Sequence, residues 1–153
     1  MKMIKHPNII KLKCVVKSKQ DVMLVLELIE GGQDVELFEE IKRLHTNKDQ
    51  FNYNLRWIKQ TFVEIALTVK YLHDKNITHR DLKPENILFK TITDRDGRRR
   101  RIPVIIDFAL AVVSTGRSQL LTTPCGTRSY MAPEIYNGHY TTKTIDVYRK
   151  LKN

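Results

Sequence analysis

Cysteine is nearly absent: Cys14 and Cys125 are the only two in 153 residues. They are too few and too far apart for a disulfide framework or a metal knuckle, so reduced thiols are expected. No apolar run approaches the length a helix needs to cross a bilayer, so no membrane partner is expected. The opening Met1-Lys2-Met3-Ile4-Lys5-His6-Pro7 has no apolar core of signal-peptide length, which favours a cytosolic or nuclear location. No internal repeat or low-complexity tract interrupts the chain. What remains is the composition of a soluble globular protein, long enough for one ordinary domain.

Acidic residues are also in deficit, 17 against 27 Lys and Arg, for a formal charge of +10. Such a surplus favours acidic partners such as nucleic acid, acidic peptides or nucleotide phosphate. Much of it is local, because Arg95, Arg98, Arg99, Arg100 and Arg101 fall within seven residues. A nuclear address or an RNA contact is one reading. A solvated loop between strands is preferred, because Asp94, Asp96 and Gly97 supply turn chemistry, and nucleic acid is not expected as a partner.

The opening reads as a helix end, a His6-Pro7-Asn8 turn and a strand from Ile9 to Leu12, since Pro7 biases His6 away from helical geometry. A strand pair follows at Cys14–Val16 and Val22–Leu26 around a polar turn. Glu27-Leu28-Ile29-Glu30-Gly31-Gly32 reads as a flexible connection, and Gln33-Asp34-Val35 as a short insertion. Val35, Leu37, Phe38, Ile41 and Leu44 suit a short amphipathic helix. Leu55, Ile58, Phe62, Ile65, Val69 and Leu72 fall at intervals of three and four, which predicts a long helix with that stripe in the core. Beyond it, Ile87–Phe89 and Val104–Ile106 predict a hairpin with the Arg-rich segment at its tip.

Between helix and hairpin stands His79-Arg80-Asp81-Leu82-Lys83-Pro84-Glu85-Asn86, and after the second apolar run comes Asp107-Phe108. These supply what phosphoryl transfer requires: a carboxylate beside an attacking hydroxyl, a Lys for the moving phosphoryl charge, and an Asn and an Asp for Mg²⁺. A His-Arg-Asp triplet alone is weak evidence. Eight residues in order, backed by strand-like runs and the Asp-Phe pair, are specific. The stretch closely resembles the catalytic loop of eukaryotic protein kinases.

The resemblance covers nearly the whole chain and implies an α+β, protein kinase-like fold in partial form. Residues 1–30 would be a remnant of the small-lobe sheet and hinge, and residues 31–153 the N-terminal half of the mainly helical large lobe. It implies a Ser/Thr protein kinase that uses ATP and Mg²⁺ on a protein substrate with a Ser or Thr acceptor. Asp81 would aim the substrate hydroxyl and Lys83 would neutralise phosphoryl charge, with Lys83 marking Ser or Thr as acceptor. Asn86 and Asp107 would hold the metal. Leu26, the backbone of Glu27 and Ile29, and Leu88 would form the adenine pocket. The segment from Leu110 to Ala132-Pro133-Glu134 resembles an activation segment, with Thr122 and Thr123 as phosphorylation sites, Arg80 as the receiving cation, and Thr127 bridging Asp81 and Lys83. His79 would stack in a column with Met1, Leu12 and Phe108. Asp146 would anchor the catalytic loop from a helix that has little room to form.

Three departures accompany the resemblance. The Gly-rich loop, the phosphate-orienting Lys and its Glu partner would precede Met1. The large lobe beyond Asp146 would be missing, so truncation at both ends is expected. Ala109 stands where the family has Gly, which makes a positive φ there costly. A catalytically impaired, kinase-shaped binding module or a non-functional gene fragment is the alternative. His6-Pro7-Asn8-Ile9-Ile10-Lys11-Leu12 and Glu36-Leu37-Phe38 look like the calcium/calmodulin-dependent kinase group, although no calmodulin-binding helix supports calmodulin as a partner.

Overall fold

The computed structural model describes residues 4–30, 35–46, 55–114, 120–136, 138, 140–141 and 144–151. Met1, Gly31, Gly32, Gln33 and Asp34, which figure in the expectations above, lie outside them. Strands β1 (Leu12–Lys17) and β2 (Val22–Leu26) form an antiparallel hairpin. Its turn is closed by Ser18, whose hydroxyl accepts the backbone N–H groups of Gln20 and Asp21. Its apolar residues are not covered: Val22, Met23 and Leu24 are all more than half exposed. The hairpin joins the rest through Ile9 and Ile10, both buried, where Ile10 N donates to Ile105 O at 3.0 Å and Ile105 N to Asn8 O at 2.8 Å.

Helix α1 (Leu37–Thr46) carries Glu39 and Glu40 in its first turn and Arg43 and His45 in its last, the charge order that the helix dipole favours. Helix α2 (Leu55–Asp74) is the central support, but its buried face differs from the predicted stripe. Ile65, Val69 and Leu72 are buried, whereas Leu55 and Phe62 are 41% and 47% exposed. Thr61 and Thr68 take the inward positions instead. Thr68 can be buried because its hydroxyl donates to Glu64 O, one turn back, at 2.7 Å. Counting apolar residues alone misses a threonine that satisfies itself this way.

After α2 comes β3 (Ile77–Thr78), and then β4 (Ile87–Thr93) pairs antiparallel with β5 (Arg99–Ile105), from Ile87↔Ile105 to Thr93↔Arg99. The predicted hairpin is present but longer, and this corrects the reading of the arginines. Arg99, Arg100 and Arg101 are strand residues, and only Arg95 and Arg98 belong to the tip. There Asp94 Oδ1 accepts the N–H groups of Asp96 and Arg98, and Gly97 supplies the positive φ of 78°. The ladder packs on α2 through Ile65, Val69, Leu82, Ile87 and Ile105.

The remaining elements are short: β6 (Val112–Val113) on β3, β7 (Leu120–Leu121) on β8 (Tyr140–Thr141), and helices α3 (Pro133–Tyr136) and α4 (Thr144–Leu151). Ala132, Ile135, Tyr140 and Ile145 form a second core beneath them. The helix expected to lack room does form, and it buries Ile145 and Asp146.

The orientation of α2 can be checked with two leucines. Leu72→Ala, at a site with no exposure, should cost about 2–5 kcal/mol in urea unfolding. Leu67→Ala, at a site 58% exposed, should change stability by about 0.5 kcal/mol or less.

Candidate active site

Helix α2 ends where Asn76 turns the chain at φ 57°, a left-handed geometry asparagine tolerates better than most residues. β3 then pairs with β6 and delivers His79 and Arg80 to the surface of the second core. Arg80 itself stands at φ 67°, which costs about 1–3 kcal/mol for a residue with a side chain. Asp146 holds it there. Its fully buried carboxylate accepts His79 N at 2.9 Å, Arg80 N at 3.0 Å, and lies 3.0 Å from His73 Nε2. Hydrogen bonds to a charged group contribute about 1.5–3 kcal/mol each, so the pair of N–H bonds outweighs the strain.

His79 is locked at both ring nitrogens. Asp81 N donates to Nδ1 at 3.3 Å, so the ring proton sits on Nε2 and is donated to Ile106 O at 2.9 Å. The ring meets Phe108 edge-on with centroids 4.7 Å apart. That stack forms part of the column named above; Leu12 is half-buried, and Met1 lies outside the described residues.

Around Asp81 the polar groups converge. Thr127 donates to Asp81 Oδ1 through both its N–H (2.9 Å) and its hydroxyl (3.1 Å). Lys83 Nζ donates to the same hydroxyl at 2.9 Å and lies 3.4 Å from Asp81 Oδ2. Asn86 Nδ2 donates to Asp81 O at 2.9 Å and Oδ2 at 3.2 Å. Asn86 O accepts Ile106 N at 3.0 Å, which brings the start of β4 beside the residue preceding Asp107. The amide nitrogen of Asn86 is thereby committed, and its Oδ1 is the oxygen left to face a cation. An Asn oxygen and an exposed Asp carboxylate are hard donors suited to an Mg²⁺ that keeps waters and phosphate oxygens in its shell.

The structure moves the backbone strain expected at Ala109. The positive φ is at Asp107, 57°, and Ala109 is not among the residues with positive φ. Ala109 N donates to Asp107 Oδ1 at 3.2 Å, so the turn is held by the Asp side chain. The methyl group therefore costs no left-handed strain.

The other predicted positions are spread more widely. Thr122 and Thr123 are exposed, and Arg80 Nε donates to Leu110 O at 2.6 Å. A residue the sequence reading missed, Tyr140, links them: its buried hydroxyl donates to Thr123 O at 2.6 Å and hydrogen-bonds the Arg80 side chain. Burial raises its pKa against the lowering pull of Arg80, with Cys125 adding to the rise. Leu26 is 38% exposed, and Ile29 and Leu88 are half-buried. Glu27 N donates to Lys11 O at 2.9 Å, and its carboxylate pairs with Lys90. Burial pushes the Glu27 pKa up, but Lys90 and the Lys11 N–H more than offset this and hold it below the ordinary value.

The loop thus hangs from a buried aspartate between a long helix and a hairpin. The protein kinase domain family matches residues 1–149, and the chain belongs to that family. It is 39% identical over 151 residues to serine/threonine-protein kinase 33 of Bos taurus, covering 97% of this chain and 29% of that protein. It is 47% identical over 132 residues to the probable serine/threonine-protein kinase fhkD of Dictyostelium discoideum, covering 86% of this chain and 16% of the relative. Myosin light chain kinase A of the same organism is 38% identical over 149 residues, 97% of this chain and 45% of its own length. The chain thus spans less than half the length of each of these relatives. Two of these relatives are named as serine/threonine-protein kinases and the third as a myosin light chain kinase.

Burial holds the His79 imidazole below its ordinary 6.5, against the raising influence of Asp146 and Ile106 O. The unfolded chain therefore takes up this proton at a higher pH than the folded chain does. Stability falls as pH drops from 6.5 toward the folded-state value. His79→Phe keeps the ring contact and removes the titration. Between about pH 7.5 and about pH 5.5 the parent should lose more stability than His79→Phe in urea unfolding. Equal losses would show that the His79 ring takes up its proton as easily in the folded state.

Proposed function

We propose that the chain is the catalytic part of a Ser/Thr protein kinase, transferring the γ-phosphate of ATP to a protein hydroxyl. The observation that carries this is the meeting of Asp81, Lys83, Asn86 and Thr127 within hydrogen-bond reach of one another. ATP with Mg²⁺, when bound, supplies the phosphoryl group and the charge that shields it. Asp81 accepts a hydrogen bond from the incoming hydroxyl and aims its lone pair. Thr127 holds Oδ1 of that carboxylate at a fixed angle, and the Lys83 ammonium stands beside it for the charge that develops on the transferred group. Asn86 Oδ1 and the Asp107 carboxylate hold the metal.

The adenine ring is read as lying between Leu26 and Leu88 against the backbone of Glu27 and Ile29. With the Glu27 N–H already donated to Lys11, the carbonyl is what residue 27 offers a purine. Residues 1–30 then serve as small lobe and hinge, and residues 31–153 as large lobe. Phosphorylation of Thr122 or Thr123 would set two negative charges near Arg80, whose guanidinium keeps donors beyond the Nε bond to Leu110 O. The likeness to myosin light chain kinase A supports placement in the calcium/calmodulin-dependent group without implying calmodulin as a partner. A cytosolic or nuclear setting suits a chain whose two cysteines form no disulfide.

A second reading, a kinase-shaped binding module, starts from Ala109 standing where the family has Gly, although Ala109 has no positive φ and its N–H is bonded to Asp107 Oδ1. Radiolabelled phosphate transfer to a Ser- or Thr-containing peptide separates the two. Asp81→Asn should lower kcat by about 10²- to 10⁴-fold, and Asp107→Asn should abolish the Mg²⁺ dependence of ATP binding. Transfer by the parent no greater than by Asp81→Asn would favour the binding module.

A further inference from the structure

We propose that the cleft between α2 and the outer edge of β5 is a docking groove for an extended acidic peptide of a partner protein. The cleft encloses about 380 Å³. One wall is a single face of α2, with Trp57, Gln60, Thr61 and Glu64 at helical spacing; the other is Arg99, Arg100, Arg101 and Pro103 of β5. From Arg99 to Ile105 the strand runs about 20 Å, so much of the groove lies away from Asp107. It goes beyond the phosphoryl-transfer site.

The backbone shows why this wall can accept a strand. Ile105 directs its N–H and C=O outward, to Asn8 O and Ile10 N, rather than to β4. In an antiparallel ladder alternate residues face the same edge, so residues 99, 101, 103 and 105 all face outward. Pro103 fits that side because it has no N–H, and its carbonyl accepts Asn8 Nδ2 at 2.7 Å. Residues 8–10 cover the edge at Pro103 and Ile105. Among the described residues no strand other than β4 pairs with β5 along Arg99–Ile102, so none lies on its outer edge there. Main-chain pairing with an added strand supplies affinity there, and side-chain chemistry supplies selectivity.

That chemistry is cationic and fixed. Arg100 Nη1 lies 3.2 Å from Glu64 Oε1, and Arg101 lies 3.5 Å from Glu40 Oε2 with its guanidinium over the Phe89 ring at 4.7 Å. Arg99 is exposed on the same wall and Arg98 follows at the tip, so positive charge exceeds negative along the groove. A peptide fits better than a nucleic acid. Trp57 is the one aromatic side chain lining the groove and is already packed on Phe89 at 5.2 Å, so the lining has no series of aromatic rings on which successive bases could stack.

The test is fluorescence anisotropy of the chain with a fluorescein-labelled peptide of alternating Glu and Val, a Lys-for-Glu control peptide and a single-stranded oligothymidine. Arg99→Glu should weaken the acidic peptide about tenfold. Gln60→Trp, which fills the cleft without changing charge, should weaken it about as much, and the Lys peptide should not bind. Gln60 and Arg99 are both exposed, so circular dichroism should show both variants folded. Asp81→Asn should leave peptide affinity unchanged, which separates failure of docking from failure of catalysis. The proposal is overturned if the acidic peptide does not bind, if Gln60→Trp has no effect on it, or if the oligonucleotide binds as tightly as the peptide.

Discussion

Everything at the site depends on one buried carboxylate. Asp146 is fully enclosed, and an enclosed carboxylate is stable only when its oxygens are matched by donors. It finds them in the backbone of His79 and Arg80 and in the ring of His73, groups some seventy residues earlier in the chain. This ties α4 to the end of α2 and holds Arg80 in a left-handed conformation it would not adopt alone. The reversal of the chain at Arg80 is what turns Asp81 toward Thr127 and Asn86.

From that point order spreads along hydrogen bonds. His79 passes the constraint to Ile106 through Nε2 and receives Asp81 N at Nδ1, so one imidazole fixes the residue before Asp107 and the residue that carries the central carboxylate. Because both ring nitrogens are committed, a second proton would break one of these bonds, in keeping with the depressed pKa that burial imposes. Tyr140 plays a similar part on the far side, where its hydroxyl joins the Arg80 side chain to the segment carrying Thr122 and Thr123. The segment carrying Thr122 and Thr123 is thereby connected to Arg80 through one side chain.

The two ends of the hairpin β4–β5 differ in their surroundings. At Ile87 and Ile105 it is buried and aligns Asn86 with the approach to Asp107. At Arg99 and Thr93 it is exposed, and its outer edge runs beside α2 as a charged wall. β2 contrasts with it, since its apolar residues from Val22 to Leu26 are all exposed.

The order of the residues was enough to single out the loop and the family, because Asp81, Lys83, Asn86 and Asp107 are recognised by type and spacing. It was also enough to place the long helix, whose periodicity spans its whole length. Three things were decided only by packing. Thr61 and Thr68 stand on the buried face of α2 in place of Leu55 and Phe62, and Thr68 can be enclosed because its hydroxyl bonds Glu64 O of its own helix. Arg99 to Arg101 became strand rather than loop, since the ladder with Thr91 to Thr93 outweighs their polarity. The left-handed residue of the turn after β5 fell at Asp107 rather than at position 109, where the Asp carboxylate bonds the N–H of Ala109. Sequence specifies which groups are present at short range; which of them are enclosed, and against what, follows from contacts between segments that no local pattern records.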